Sequence, residues 1–364
     1  MSPRESRSET RLRTLRRRIE GAKADAFFSL APPDNQYLTG FIGSTSAVIV
    51  TREEALFLCD FRYTEQARAQ VAGFTVEEVS GGFLKGAGER LTSLGVLVAA
   101  YEPAYLTVDQ LRTVESAFRG RMEPVSDIVA TLRMTKTADE IKRIREASRL
   151  AEGVLDDLLG IIKKGLSEAE LAGRFEYEFK RRGADGASFD TIALFGPRSS
   201  MPHGRPGETR LKRGDIVLLD LGCRKVGYCS DLTRTYAYGT IPGAWFREIY
   251  EVVLTAQEAA LKAIRPGVRC CDVDAVARGV IADAGYGKHF GHGLGHGVGI
   301  EVHESPRLNP ECQVVLLEGM AVTVEPGIYL PKRGGVRVED LVVVTKTGCT
   351  SITCAPKELR VLEV

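Results

Sequence analysis

Two acidic hairpins constrain this chain more than any other feature. The segment "GDIVLLDLGCRKVGYCSDLTRTY", residues 214–236, holds two apolar runs joined by a short turn. Their branched residues favour paired strands. A two-residue loop at Lys225 and Val226 sets Asp220 opposite Asp231, with Cβ atoms roughly 4.5–5.5 Å apart. The segment "VTVEPGIYLPKRGGVRVEDLVVVT", residues 322–345, repeats the arrangement. There Glu325 and Glu339 are symmetric about Lys332, across a turn of Pro331 to Gly334. Like charges face to face destabilise a strand pair, and the apolar flanks keep water away. Four carboxylates in one such pocket do not all stay ionised without cations. Two divalent ions balance the charge. Oxygen-rich ligation suits Mn²⁺, and Co²⁺ or Zn²⁺ also fit. Bridging carboxylates hold two metals roughly 3.5–4 Å apart.

The stretch "GHGLGHGVGIEVHE", residues 291–304, carries three of the chain's five histidines, His292, His296 and His303. The four-residue spacing of the first two would make a metal pair on a helix. Five glycines between Gly291 and Gly299 oppose a helix, each costing about 1 kcal/mol relative to alanine. In an extended strand His292, Leu294 and His296 share one face, and His303 has the opposite parity. His303 therefore needs a bulge, a turn or a different role. The glycines allow close approach of a ligand or another strand. His203, in "MPHG", is a fourth candidate, whereas His289 beside Lys288 reads as an ordinary loop residue. A single histidine is more often core or surface. Three within twelve positions, beside an acidic pocket, point to a site.

At 364 residues the default is two domains. The first part reads as α/β: strands in "DAFFSLAPPDNQYLTGF" and "SAVIVTREEALFLCDFRYTEQARAQ", a helix at the end of the latter, and a buried strand in "VLVAAYEP". From about residue 130 an α+β pattern begins. Thr137 with Glu140, and Ser167 with Glu170, form capping boxes ahead of amphipathic helices, the second ending near Gly183. Two further helices run from Trp245 to Ile264 and from Asp272 to near Gly285. A net charge of +1 points to neither nucleic acid nor an anionic membrane as partner. No apolar run approaches the roughly 20 residues that span a bilayer. The arginine-rich start lacks the apolar core of a secretory signal and reads as a frayed end followed by the solvated face of a helix. Eight cysteines without a C-x-x-C pair read as buried thiols in a reducing cytoplasm.

Together the motifs "PHG" (202–204), "DLGCRKVGYCSDLTRT" (220–235), "GHGVGIEVHESP" (295–306), "VEPGIY" (324–329) and "VRVED" (336–340) resemble the pita-bread metallopeptidases, the aminopeptidase P, prolidase and methionine aminopeptidase group. Residues 1–130, with "NQYLTGF" and "DFRYTEQA", resemble the creatinase/prolidase N-terminal domain, which leaves 131–364 as the catalytic domain. The resemblance implies two metal ions held by Asp220, Asp231, His296, Glu325 and Glu339, with Asp231 and Glu339 bridging. It implies substrate-binding and proton-handling roles for His203, His292 and His303. Arg337 would hold a ligating carboxylate in place. Arg198, Ser199 and Ser200, ahead of "MPH", follow no readable family pattern. The activity implied is release of the first residue from peptides with proline second, by hydroxide bridging the metals, with Glu325 as general base. The short hairpin around Lys332 shows no large lid, which favours an Xaa-Pro aminopeptidase over an Xaa-Pro dipeptidase. A dipeptidase must also clamp the proline carboxylate with a cation. A non-catalytic binding protein on this scaffold is disfavoured by the complete ligand set. By the same resemblance the protein is a homodimer, with Asp60 to Tyr63 reaching a neighbouring subunit's pocket.

Overall fold

The computed structural model describes residues 3–363 and divides into two compact units, 1–133 and 134–364. Met1 and Ser2, within the start read as frayed, lie outside the described residues. The helix Pro3–Gly21 buries Leu12, Leu15 and Ile19 at three-to-four spacing and leaves Arg13 and Arg17 exposed. Its Arg16 and Arg18 donate to the carbonyls of Thr51 and Ile128. Those two arginines therefore brace the unit's own backbone.

The first unit is built on six strands, β1 (Ala26–Ser29), β2 (Ala47–Thr51), β3 (Ala55–Cys59), β4 (Thr75–Glu78), β5 (Val98–Tyr101) and β6 (Arg121–Pro124). They lie in the order β4-β3-β2-β1-β5-β6. The pairs β1–β2 and β2–β3 are antiparallel and the others parallel. One segment departs from its strand reading: Pro32–Thr39 is a helix. Proline at its start supplies a preset φ where no backbone N–H is needed, and Gly40 ends it in the left-handed region at φ 83°.

The second unit begins as its capping boxes dictate. Thr137 and Glu140 cap the helix Ala138–Leu159, and Ser167 and Glu170 cap Glu168–Arg181. The helix Ala244–Ala263 stops ahead of Pro266. The next helix, Cys270–Asp283, starts two residues before the expected Asp272. Asp272 sits in its first turn and pairs with the Arg269 guanidinium at 2.7 Å, so it is not the cap. No helix among the described residues is long and apolar enough to cross a membrane.

The strands of the first half are β7 (Gly186–Ala187), β8 (Ile192–Phe195), β9 (Ile216–Leu221), β10 (Cys223–Lys225), β11 (Tyr228–Cys229) and β12 (Leu232–Tyr238). Those of the second half are β13 (Gly295–Gly297), β14 (Glu304–Leu308), β15 (Ala321–Val324), β16 (Gly327–Leu330), β17 (Gly334–Arg337), β18 (Asp340–Val344), β19 (Cys349–Ser351) and β20 (Val361–Leu362). Each half lays two helices on a sheet. Val217, Leu219 and Leu221 of β9 pack with Phe175 and Phe179 on the helix side. Truncating the fully buried Phe175 to alanine costs about 3–5 kcal/mol. Val322, Val324, Val342 and Val344 likewise meet Phe246, Val253 and Ile281. Because side chains alternate along a strand, Asp220 and Thr233 point to the face away from the helices. On that face the two halves meet, with the Glu339 N–H donating to the Thr233 carbonyl at 3.2 Å.

Candidate metal centre

The first acidic hairpin folds in a different register from the one expected. Its two-residue loop is Val226 and Gly227, at φ 50° and 75°, and Lys225 pairs with Tyr228. Both loop residues are left-handed, the geometry of a type I′ turn, and glycine there avoids a Cβ clash. Asp220 therefore faces Thr233 across the ladder, not Asp231. Asp231 precedes β12, two positions from Thr233 and on the same face by parity. In the second hairpin the pairing is centred on Lys332 throughout, from Leu330 with Gly334 to Val324 with Asp340. Glu325 and Glu339 occupy the break between the two ladders.

The glycines around His296 serve strand packing. β13 lies between β14 and β15. A Cβ on Gly295 would come within 2.1 Å of the Thr323 carbonyl oxygen, and one on Gly297 within 2.4 Å of that of Ser305. β13 is short, so His292 precedes the strand. A register shift after His296 opens the loop that brings His303 round. The rings of His296 and His303 then meet edge to face at 4.4 Å.

One cavity of about 640 Å³ is lined by all nine residues singled out in the sequence: His203, Asp220, Asp231, His292, His296, His303, Glu325, Arg337 and Glu339. His289 is not among them. Ligand atoms of Asp231, His296 and Glu339 lie within 4.8 Å of one another. The Nδ1–H of His296 donates to the Gly297 carbonyl at 3.1 Å. Its Nε2 is thereby turned to the carboxylates, 3.2 Å from Glu325 Oε1 and 3.6 Å from Asp231 Oδ2.

Arg337 braces the other side. It donates to Asp220 Oδ2, to the Tyr329 hydroxyl at 2.8 Å and to Thr233 Oγ1 at 3.1 Å. Thr233 in turn donates to Glu339 Oε2 at 2.7 Å. Tyr329, accepting from Arg337, has its own proton free for His292 Nε2 at 2.9 Å. His292 is held neutral by burial, which lowers its pKa. Burial also lowers His303, to about 4, with His296 and Arg307 adding to the effect.

The carboxylates do not behave alike. Burial pushes Asp231 and Glu339 well above the usual range, and their acidic neighbours push them further. Burial raises Asp220 despite Arg337. At Glu325 burial also opposes ionisation, but the hydrogen bond and charge of His296 outweigh it and hold the group at about 2. Two buried oxygens, Asp220 Oδ1 and Glu339 Oε1, have no hydrogen-bond partner among the described residues. Unpartnered buried carboxylate oxygens beside a histidine nitrogen fit a divalent cation, which takes such donors and reverses the cost of burying them.

A family model for metallopeptidase family M24 matches residues 142–346, more than half of the chain. The chain belongs to metallopeptidase family M24. A creatinase/prolidase N-terminal domain matches residues 11–135 of this M24 peptidase. It is 38% identical over 339 residues to the Xaa-Pro dipeptidase of Pyrococcus horikoshii, covering 92% of this chain and 94% of that one. An Xaa-Pro dipeptidase from Bacillus anthracis superposes with a TM-score of 0.95 at 38% identity, covering 98% and 100% of the two chains. An X-Pro aminopeptidase from Thermotoga maritima superposes at 0.87 with 36% identity, covering 94% and 99%. The fold of this M24 peptidase is the pita-bread fold with a creatinase-type N-terminal domain, and the family's chemistry implies divalent metal ions.

The cavity of this M24 peptidase also exposes one group the sequence reading missed. Arg307 on β14 pairs in register with His296, lines the cavity and has no carboxylate partner among the described residues. Its signal in the sequence is faint: a lone arginine four residues after His303. Only the β13–β14 pairing places it beside the acidic centre.

Proposed function

We propose that this M24 peptidase is an Xaa-Pro dipeptidase. The carrying observation is Arg307, a guanidinium without a carboxylate partner among the described residues, on the cavity wall beside His296 on the adjacent strand. It is the cation that a free proline carboxylate requires, and a guanidinium matches a carboxylate two-pronged. The names of the Pyrococcus and Bacillus relatives support the same reading. The aminopeptidase reading rests on the short hairpin around Lys332, and the likeness to the Thermotoga protein favours it. A missing lid is weaker support than a cation on the cavity wall.

In this reading Asp220, Asp231, His296, Glu325 and Glu339 hold two divalent ions, with manganese the first to test. When bound, the ions supply Lewis acidity and a water of lowered pKa. Glu325, ionised at neutral pH, accepts a proton from the attacking water and returns it to the departing proline nitrogen. That nitrogen carries no hydrogen in the peptide, so a site that gives a proton there and asks for none suits proline. His303 and His203 donate to the carbonyl oxygen as it gains charge. His292 keeps its place through Tyr329. The substrate ammonium lies toward Asp220, and Arg307 takes the carboxylate.

The test compares an Xaa-Pro dipeptide with its amide and with an Xaa-Pro-Yaa tripeptide. The dipeptide should be preferred, and Arg307→Ala should lower its kcat/KM roughly 10- to 150-fold, a loss of about 1.5–3 kcal/mol. The amide should lose far less. Equal rates on dipeptide and tripeptide, unaltered by Arg307→Ala, would establish the aminopeptidase instead.

A further inference from the structure

Arg198, which fits no pattern in the sequence, has a definite place in the fold. Glu168, the first residue of the helix Glu168–Arg181, is fully buried. Its carboxylate gathers both ends of the segment 195–207. Oε1 accepts from the Phe195 N–H at 2.8 Å, and Oε2 accepts from the Gly207 N–H at 3.0 Å. The Arg198 Nε–H lies 3.1 and 2.9 Å from the same two oxygens. From there Arg198 Nη2 reaches across the loop to the Arg205 carbonyl at 2.6 Å.

His203 sits inside this closed loop and lines the cavity, with its side chain open to solvent. Among the described residues no hydrogen bond holds the ring. Its position is therefore set by the backbone on either side. Pro202 accepts from Arg337 Nη1 at 3.3 Å, and Gly204 closes a turn onto Met201 at 3.1 Å. Beyond Gly204 the next anchor is the Arg198 contact at Arg205. A compact loop with tied ends presents such a side chain with little freedom.

We propose that the Glu168–Arg198 pair is a positioning device that fixes His203 against the substrate carbonyl. The kinetic part rests on the peptidase reading above; the structural part does not. Neither residue lines the cavity. Removing Arg198 frees the Arg205 carbonyl but leaves Glu168 its two backbone donors, and because Arg198 is 36% exposed water can take the guanidinium's place, so Arg198→Ala should keep the fold. Glu168→Gln is the stronger change, since its amide would place a donor against the Gly207 N–H.

Two measurements on the full-length, metal-loaded enzyme decide it. The first, on enzyme loaded with diamagnetic Zn²⁺, is the ¹H–¹³C spectrum of the five histidine rings, assigned by single substitutions. Arg198→Ala should shift and broaden the His203 signal and leave that of His289 in place. An unmoved His203 signal overturns the proposal, whatever the activity. The second is a double-mutant cycle on kcat with an Xaa-Pro dipeptide. Arg198→Ala should lower kcat roughly ten- to a hundredfold with little change in KM. In a His203→Ala background the same change should cost less than about twofold. Equal losses in both backgrounds would mean that the pair acts without His203, which also overturns the proposal. An enzyme inert on every Xaa-Pro peptide would defeat the peptidase reading, and the ring spectrum would still judge the latch. Should Glu168→Gln fail to fold, Arg198→Ala carries both tests alone.

Discussion

Replacing Arg337 by methionine tests the electrostatics of the centre directly. Arg337 is 2% exposed and donates to Asp220, Tyr329, Thr233 and the Pro202 carbonyl. Asp220 Oδ1 has no partner among the described residues, so the change takes away the carboxylate's ion pair. Breaking a buried pair costs about 3–5 kcal/mol. Asp220 has one escape, binding a proton. At pH 7, about three units above an ordinary aspartate pKa and at 1.36 kcal/mol per unit, that caps the cost near 4 kcal/mol. At pH 5 the cap falls to about 1.5 kcal/mol. The sign follows from the direction of the shift. Burial already raises Asp220, and losing Arg337 raises it further. A folded pKa above the unfolded one gives a deficit that is absent below the unfolded value and grows as pH rises. The assay is urea unfolding of chelator-treated enzyme, followed by the fluorescence of Trp245. This sole tryptophan lies in the catalytic unit, under the Arg333 guanidinium at 4.4 Å. Because burial has already raised Asp220 in the native enzyme, the variant should lose between about 1 and 4 kcal/mol at pH 7, less than half of that at pH 5, and recover part of it when Mn²⁺ is added. A deficit below about 1 kcal/mol, or one independent of pH, would refute the account of a strained acidic centre.

Other outcomes follow from the same geometry. Glu325→Gln should still bind metal, measured by atomic absorption after gel filtration, while turnover falls at least about a hundredfold; near-normal turnover removes Glu325 as the base. Metal should stabilise the fold by about 2.7 kcal/mol at a hundred times its Kd, and chelation should abolish peptidase activity. Activity that survives exhaustive chelation contradicts the metal assignment. The thiols of Cys223 and Cys270 are pushed by burial to about 12, from an ordinary 9. Their share of stability is intact below pH 9 and declines by about 1.4 kcal/mol per unit per thiol as pH rises toward 12. Urea midpoints at pH 8 and pH 10.5 measure that decline. At pH 8 a thiol reagent should modify the exposed Cys354 in the native enzyme and reach Cys223 and Cys270 only on unfolding.

The sequence by itself determined what is local. Both capping boxes involve residues three apart, so each helix start is written within one turn. The symmetry of Glu325 and Glu339 about Lys332 survives because a single hairpin fixes it. The Asp220 register slipped because the demand of Gly227 for a positive φ moves the loop by one residue and the pairing by two. Tertiary structure decided the rest. Thr233 reaches Glu339 across 106 positions and Arg337 reaches Asp220 across 117. Arg307 meets the centre only through the pairing of β13 with β14. Arg198 gains its partner only when a helix N-terminus packs beside the loop. Such contacts depend on how two sheets and four helices bury their apolar faces together, and no short window of residues carries that information.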